Sequence, residues 1–232
     1  MRRFVLLVFL GSMMPAVLVA QLTFGELVDR SFGSDQVLVN GIQFSNQYIR
    51  IDGNPYFMEG RFRTGSLCIN DQCYEQVRLR YNLSTQKVEI EYQTPRGHLN
   101  QLITVPEQMP AFSLEGYEFR RMQLGEDAPA YYMVLTSGST NCYVGWTKDV
   151  LGGGSSQESF SLPLRKYWIQ LGQEWTTFDD RRTYVRAFPR ERQKEFRDLL
   201  KKEKFLFYQA TILETADMVL ATIRLYEEGE GP

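Results

Sequence analysis

The sequence is short of the residues that most enzyme and metal sites use. Its 232 residues hold one histidine, His98, and three cysteines, Cys68, Cys73 and Cys142. One histidine excludes any site that needs two, and three cysteines exclude a four-thiolate zinc centre. A Ser-His-Asp arrangement would have to run through His98 alone. That residue closes Thr94-Pro95-Arg96-Gly97-His98, a turn by composition, where no acidic or nucleophilic neighbour stands ready to work with it. An excess of charge of one sign is also missing. Twenty-six basic against 28 acidic residues leave −2, so no broad cationic face for nucleic acid is expected. No G-x-S-x-G, phosphate-loop, H-E-x-x-H or calcium-loop pattern occurs. The sequence thus points to no catalytic residue, cofactor or metal ligand.

Long apolar runs are missing too, except at the start. Residues 1–20 read MRRFVLLVFLGSMMPAVLVA: two arginines, an unbroken apolar stretch from Phe4 to Leu10, then small residues before Gln21. This is the pattern of a secretory signal peptide, cleaved after Ala20. Gly11, Ser12 and Pro15 make it a poor membrane anchor, and nothing later approaches the roughly 20 apolar residues of a spanning helix. The mature chain is therefore expected to be exported, to periplasm or medium, without a transmembrane segment, into an oxidising compartment.

What is there is β structure. From about Gln36 to Leu171 the chain is rich in Tyr, Phe, Val, Ile and Thr, broken every eight to twelve residues by turn formers. We read residues 21–178 as an antiparallel meander, a curled sheet or partial barrel, in an α+β protein. Asn70-Asp71 suits a hairpin tip, which sets Cys68 opposite Cys73 at about 4.5 Å, close enough for a disulfide. A second turn at 82–87 pairs Tyr81 with Val88, Leu79 with Ile90 and Val77 with Tyr92. One register then turns Phe62, Thr64, Val77, Leu79, Tyr81, Val88, Ile90 and Tyr92 inward. It turns Arg61, Arg63, Arg78, Arg80, Lys87, Glu89 and Glu91 outward. That outer ladder reads as a solvated face rather than an anion-binding strip, because Glu89 and Glu91 neutralise the nearest arginines. Further strands are expected at Leu99–Val105, Phe112–Phe119, Tyr131–Leu135, Asn141–Lys148, Phe160–Leu162 and Lys166–Leu171. A flexible loop is expected at Leu151–Ser156.

Residues 179–232 change to helical patterning. Asp179 is placed to cap a short turn through Phe188, and Pro189–Lys204 is a charged helix with Phe196, Leu199 and Leu200 on one side. Thr211-Ile212-Leu213-Glu214 has capping-box spacing, followed by a stripe of Ile212, Ala216, Val219, Leu220, Ile223 and Tyr226. The basic surplus between Arg190 and Lys204 could meet acidic lipid or a partner, but a solvated helix face is the plainer reading.

Asn54-Pro55-Tyr56, Gly65-Ser66-Leu67, Val77-Arg78-Leu79-Arg80-Tyr81-Asn82 and Val88-Glu89-Ile90-Glu91 resemble segments of uncharacterised secreted β-rich proteins of Bacteroidetes. The resemblance implies an exported protein of β-then-helix build and brings no catalytic residue with it. The Cys68/Cys73 pair departs from it. Cys142 reads as a small core residue. Aromatics crowd the second half, and strand alternation sets Tyr143 and Trp168 opposite their neighbours, open to solvent. Tyr143, Trp146, Trp168 and Trp175 are therefore the candidate ligand site, for the apolar faces of glycans or peptides. Filling a sheet–helix core is the simpler use of the same residues. The leading expectation is a non-enzymatic binding or scaffolding protein of the bacterial envelope, with an envelope protein or glycan as partner. The alternative is an envelope hydrolase of glycan or peptide using carboxylates from distant strands.

Overall fold

The computed structural model describes residues 41–229 apart from Asp71 and residues 95–96, 137–139 and 154–155. The expected leader lies outside the described residues. Strand β1 is Ile42–Gln43, β2 Arg63–Ile69, β3 Gln72–Asn82, β4 Lys87–Gln93 and β5 Leu99–Ile103. Then come β6 (Ala111–Leu114), β7 (Tyr117–Met122), β8 (Ala130–Thr136) and β9 (Cys142–Thr147). A small separate hairpin, β10 (Val150–Gly153) with β11 (Ser156–Phe160), precedes β12 (Leu164–Leu171) and β13 (Glu174–Phe178). The other eleven strands make one antiparallel sheet, ordered β1-β5-β4-β3-β2-β6-β7-β8-β9-β12-β13. Two meanders thus lie side by side, joined where β2 meets β6.

The register of β3 on β4 is the expected one: Tyr81 faces Val88, Leu79 faces Ile90, and Arg80 and Arg78 face Glu89 and Glu91. Cys68 also faces Cys73, with a disulfide between them and α-carbons 4.0 Å apart. The faces of β2 differ from expectation. Leu67 pairs with Tyr74 but Gly65 pairs with Val77, so β3 carries one extra residue, and Gln76 takes it up at φ +58°. Such a bulge reverses the alternation. Thr64 therefore opposes Arg78 on the outer face, and Phe62 lies against the Arg80 guanidinium, 4.3 Å from its ring centre. Arg63 is opposite Leu79 and escapes at the rim to pair with Glu115 (3.3 Å). The stretch expected as one strand, Phe112–Phe119, is a hairpin turning at Glu115-Gly116, both with positive φ. Leu151–Gly153 and Ser156 belong to a hairpin rather than to a loop.

The outer face is not open to water everywhere. Residues 54–57 lie alongside the end of β3, Tyr56 bridged antiparallel to Asn82, with the Phe57 N–H donating to the Tyr81 carbonyl (2.8 Å) and the Leu83 N–H to the Pro55 carbonyl (2.8 Å). Tyr56 then covers the Arg80–Glu89 pair. Arg80 Nε and Nη2 donate to Glu89 Oε2 at 2.7 and 2.6 Å, and Tyr56 Oη donates to the same oxygen at 3.2 Å. The Arg80 guanidinium lies 4.1 Å from the Tyr56 ring centre and 5.2 Å from that of Phe44. Burial, and next the Glu89 charge, push the Tyr56 phenol well above its ordinary pKa. The expected solvated ladder is, at this point, a buried ion pair.

The inner face is dry and aromatic. Phe112 and Phe119, register partners, stack at 4.5 Å; Tyr81 meets both edge-on, and Tyr131 meets Phe112. Helices α1 (Arg181–Arg186), α2 (Gln193–Lys202) and α3 (Ile212–Gly229) add Tyr184, Phe196, Leu200, Met218, Val219 and Ile223 to the same core. Asp180, one residue beyond the expected cap, accepts from the Thr183 N–H at 2.7 Å while its own N–H donates to Thr183 Oγ1. Helix α2 begins later than Pro189, because 189–192 form a turn that lets Arg192 donate to the carbonyls of Leu225 and Tyr226. The Thr211–Glu214 capping box is present as expected. The α3 stripe is rotated from the expected one: Thr215 and Thr222 are fully buried, their hydroxyls satisfied by the carbonyls of Thr211 and Met218.

Removing one member of a buried pair strands the other charge, at a cost of about 3–5 kcal/mol. Arg80→Met and Glu89→Leu are each expected to lower the urea-unfolding free energy by about that much. The double variant is expected to lose clearly less than the sum. Additive losses would mean that the pair is not coupled.

Candidate functional site

The expected aromatic site is split between the two faces of the sheet. Trp146 points into the main core, 5.4 Å from Phe57. Tyr143 and Trp168, register partners on β9 and β12, share the opposite face with Trp175, which lies 5.6 Å from Tyr143. These three come together, but not as an open platform. Leu124 and Tyr132 close over them, leaving Tyr143 and Trp168 only 5% and 6% exposed. Gly125 makes the cover fit: a Cβ there would come within 3.0 Å of the Trp168 ring. Lys166 completes it, 4.7 Å over that ring and 2.6 Å from Asp127. Exposure of Tyr143 and Trp168 is thus overturned. Alternation along a strand identifies the opposite face but cannot see the loop that covers it.

The other chemistry-bearing residues lie apart. His98 is exposed in its turn, its N–H held by Thr94 Oγ1. Cys142 is fully buried, and burial drives its thiol far above the ordinary pKa, so it is no nucleophile. Among the described residues no three His, Cys, Asp or Glu side chains are grouped to hold a metal ion.

What the structure does bring together is a set of cations. A cavity of about 550 Å³ opens between α1 and α2. Arg182 and Arg186 of α1 lie along one wall; Arg197 and Lys201 of α2 lie along the other. Each pair is spaced i,i+4, which stacks two like charges on one helix face. The floor is apolar: Val185, Leu206 and Phe207, with Tyr208 at the mouth, 74% exposed. Arg181 is pinned into the wall by donating from Nη2 to the Phe205 carbonyl at 2.7 Å. The lining carboxylate, Asp180, is already engaged as the α1 cap. The Thr183 N–H and hydroxyl, and to a lesser extent Arg182, hold it below the usual carboxylate range. Among the described residues Arg182, Arg186, Arg197 and Lys201 make no ion pair within 4.0 Å. The sequence signal was the pair of i,i+4 spacings. The break at Phe188-Pro189 hides it, because only the turn of the chain sets one basic face against the other.

A second groove, of about 560 Å³, separates α2 from α3 and is edged by Glu203, Glu214, Asp217 and Lys204. Glu214 is held low by the Thr211 N–H and hydroxyl of the capping box. That is the wrong direction for a general acid of glycoside cleavage, whose pKa must be raised.

Two outcomes test these assignments. Trp168→Ala is expected to destabilise the fold by about 3–5 kcal/mol in urea unfolding, as for a core aromatic; a near-neutral change would return Trp168 to the surface. The second concerns acid. In the unfolded chain Asp180 and Glu214 take up protons near 3.8 and 4.5, whereas folded they do so at lower pH. Their stabilisation is therefore complete above about pH 5 and is lost as pH falls through those values towards the lowered folded ones. Asp180→Asn/Glu214→Gln is expected to flatten the fall in melting temperature over that window. An unchanged slope would remove the two caps from the acid response.

No protein-family model, curated protein or solved structure matches the chain.

Proposed function

We propose that this chain is an exported, non-enzymatic binding or scaffolding protein of the bacterial envelope, and that its helical end carries the binding role. The observation that carries this reading is how the sheet is used. Its inner face is filled by its own side chains and by the three helices, as a scaffold requires, instead of framing a cleft. The open, charged cavity lies where the helices meet. Export is supported by the leader-like residues 1–20, by the Cys68–Cys73 disulfide and by the resemblance to secreted Bacteroidetes proteins. Among the described residues, no helix is long and apolar enough to cross a membrane. A glycan-binding aromatic platform loses support because Tyr143 and Trp168 are covered.

The test is to express the whole chain in a bacterial host and recover it from the periplasm. Intact mass is expected to place the N-terminus at Gln21; a chain retaining Met1 in the cytosol would end the export reading. The recovered protein is then incubated with envelope glycan fragments and with peptides, and the products are read by mass spectrometry. No bond cleavage is expected. Cleavage that disappears in Glu214→Gln or Asp217→Asn would establish the hydrolase instead.

A further inference from the structure

We infer that the cavity between α1 and α2 is a binding site for a phosphate monoester carried on an apolar body, an inference that rests on the binding reading above. Charge points to it first. Arg182, Arg186, Arg197 and Lys201 line one cavity without an ion pair among the described residues, and Asp180 is committed to the helix cap. Two arginines face one another's helices with like-charged i,i+4 neighbours, a standing repulsion that a bound anion relieves. A monoanion would leave most of that charge uncompensated. A phosphate monoester brings close to two negative charges and three acceptor oxygens, which suits guanidinium forks and an ammonium together.

Size and polarity supply the second part. About 550 Å³ falls in the range of roughly 300–1,000 Å³ usual for small-ligand sites and is far more than a bare phosphate fills. The floor offers Val185, Leu206 and Phe207, so the remainder of the ligand is apolar. Tyr208 stands at the mouth as an exposed ring. Rigidity is the third. Arg181 is fixed to the Phe205 carbonyl with its Nε buried and, among the described residues, unpartnered. Val185 and Phe207 belong at once to the floor and to the core. The floor and Arg181 are thus set before a ligand arrives, which limits the entropy lost there on binding.

The same head could arrive on a membrane lipid or on a soluble ester, and the experiment separates them. Calorimetric titration of the mature chain uses phenyl phosphate, inorganic phosphate, benzoate and benzyl alcohol. Vesicle flotation uses phosphatidylcholine with and without phosphatidic acid. Phenyl phosphate is expected to bind at least about tenfold more tightly than each of the other three titrants. Arg182→Gln/Arg197→Gln is expected to weaken it about a hundredfold, since each charge-assisted contact accounts for roughly a factor of ten or more. The same variant is expected to melt no lower than the parent, because repulsion has been relieved. Should it melt lower, the parent alone decides: phenyl phosphate must raise its melting temperature above that in benzoate of equal ionic strength.

Flotation with phosphatidic acid that the variant loses would assign a lipid source. Phenyl phosphate binding without flotation would assign a soluble one; either supports the site. Phenyl phosphate bound no better than benzyl alcohol, or bound equally by a folded variant, overturns the site and leaves the binding reading in place. Release of nitrophenolate from p-nitrophenyl phosphate by the parent but not the variant would keep the anion site and overturn the non-enzymatic reading.

Discussion

An open sheet of eleven strands has two broad faces, and removing both from water is the constraint that organises this molecule. Each face is closed differently. On the inner side, rings from successive strands meet in a continuous aromatic layer, and three helices cover it. On the outer side the cover comes in pieces: Tyr56 over Arg80 and Glu89, and Leu124 with Gly125 over Trp168. The helices are therefore the price of the sheet's inner face. Their amphipathic form leaves the other sides free to carry charge, and α1 and α2 direct that charge towards one another.

Those parts of the fold that depend on neighbours in the chain were legible in the sequence. The Tyr81–Val88 register follows from alternation on both sides of a short turn, and the Thr211–Glu214 box follows from spacing alone. The failures have definite causes. One residue, Gln76, in a left-handed conformation reverses the faces of β2, and nothing in a Glu-Gln dipeptide announces a bulge. Burial of Glu89 depends on Tyr56, 33 positions away, and burial of Trp168 on a loop more than forty away. Period-two patterning reports which residues share a face, not whether another segment lies on it.

The candidate site was half legible for a similar reason. The basic surplus of Arg190–Lys204 was read from the sequence as an ordinary solvated helix face, and the Arg182/Arg186 spacing went unread. Their meaning changes only when the turn at 189–192 folds α2 back, with Arg192 anchoring that turn to the end of α3 through the Leu225 and Tyr226 carbonyls. The four aromatics were legible as a group, but Tyr143 and Trp168 were expected at the solvent boundary and are covered; Trp146 lies in the main core and Trp175 beside Tyr143 on the opposite face.

The junction between the meanders has an entropic side. Most ladders join strands that follow one another closely, but β2 and β6 pair Ser66 with Ser113, 47 residues on, and the two hydroxyls lie 2.8 Å apart. Gly65 sits so near the Ser113 carbonyl that a Cβ would come within 2.1 Å. Joining these two edges therefore costs more chain entropy than closing a hairpin, and only a residue without a side chain lets the backbones meet there.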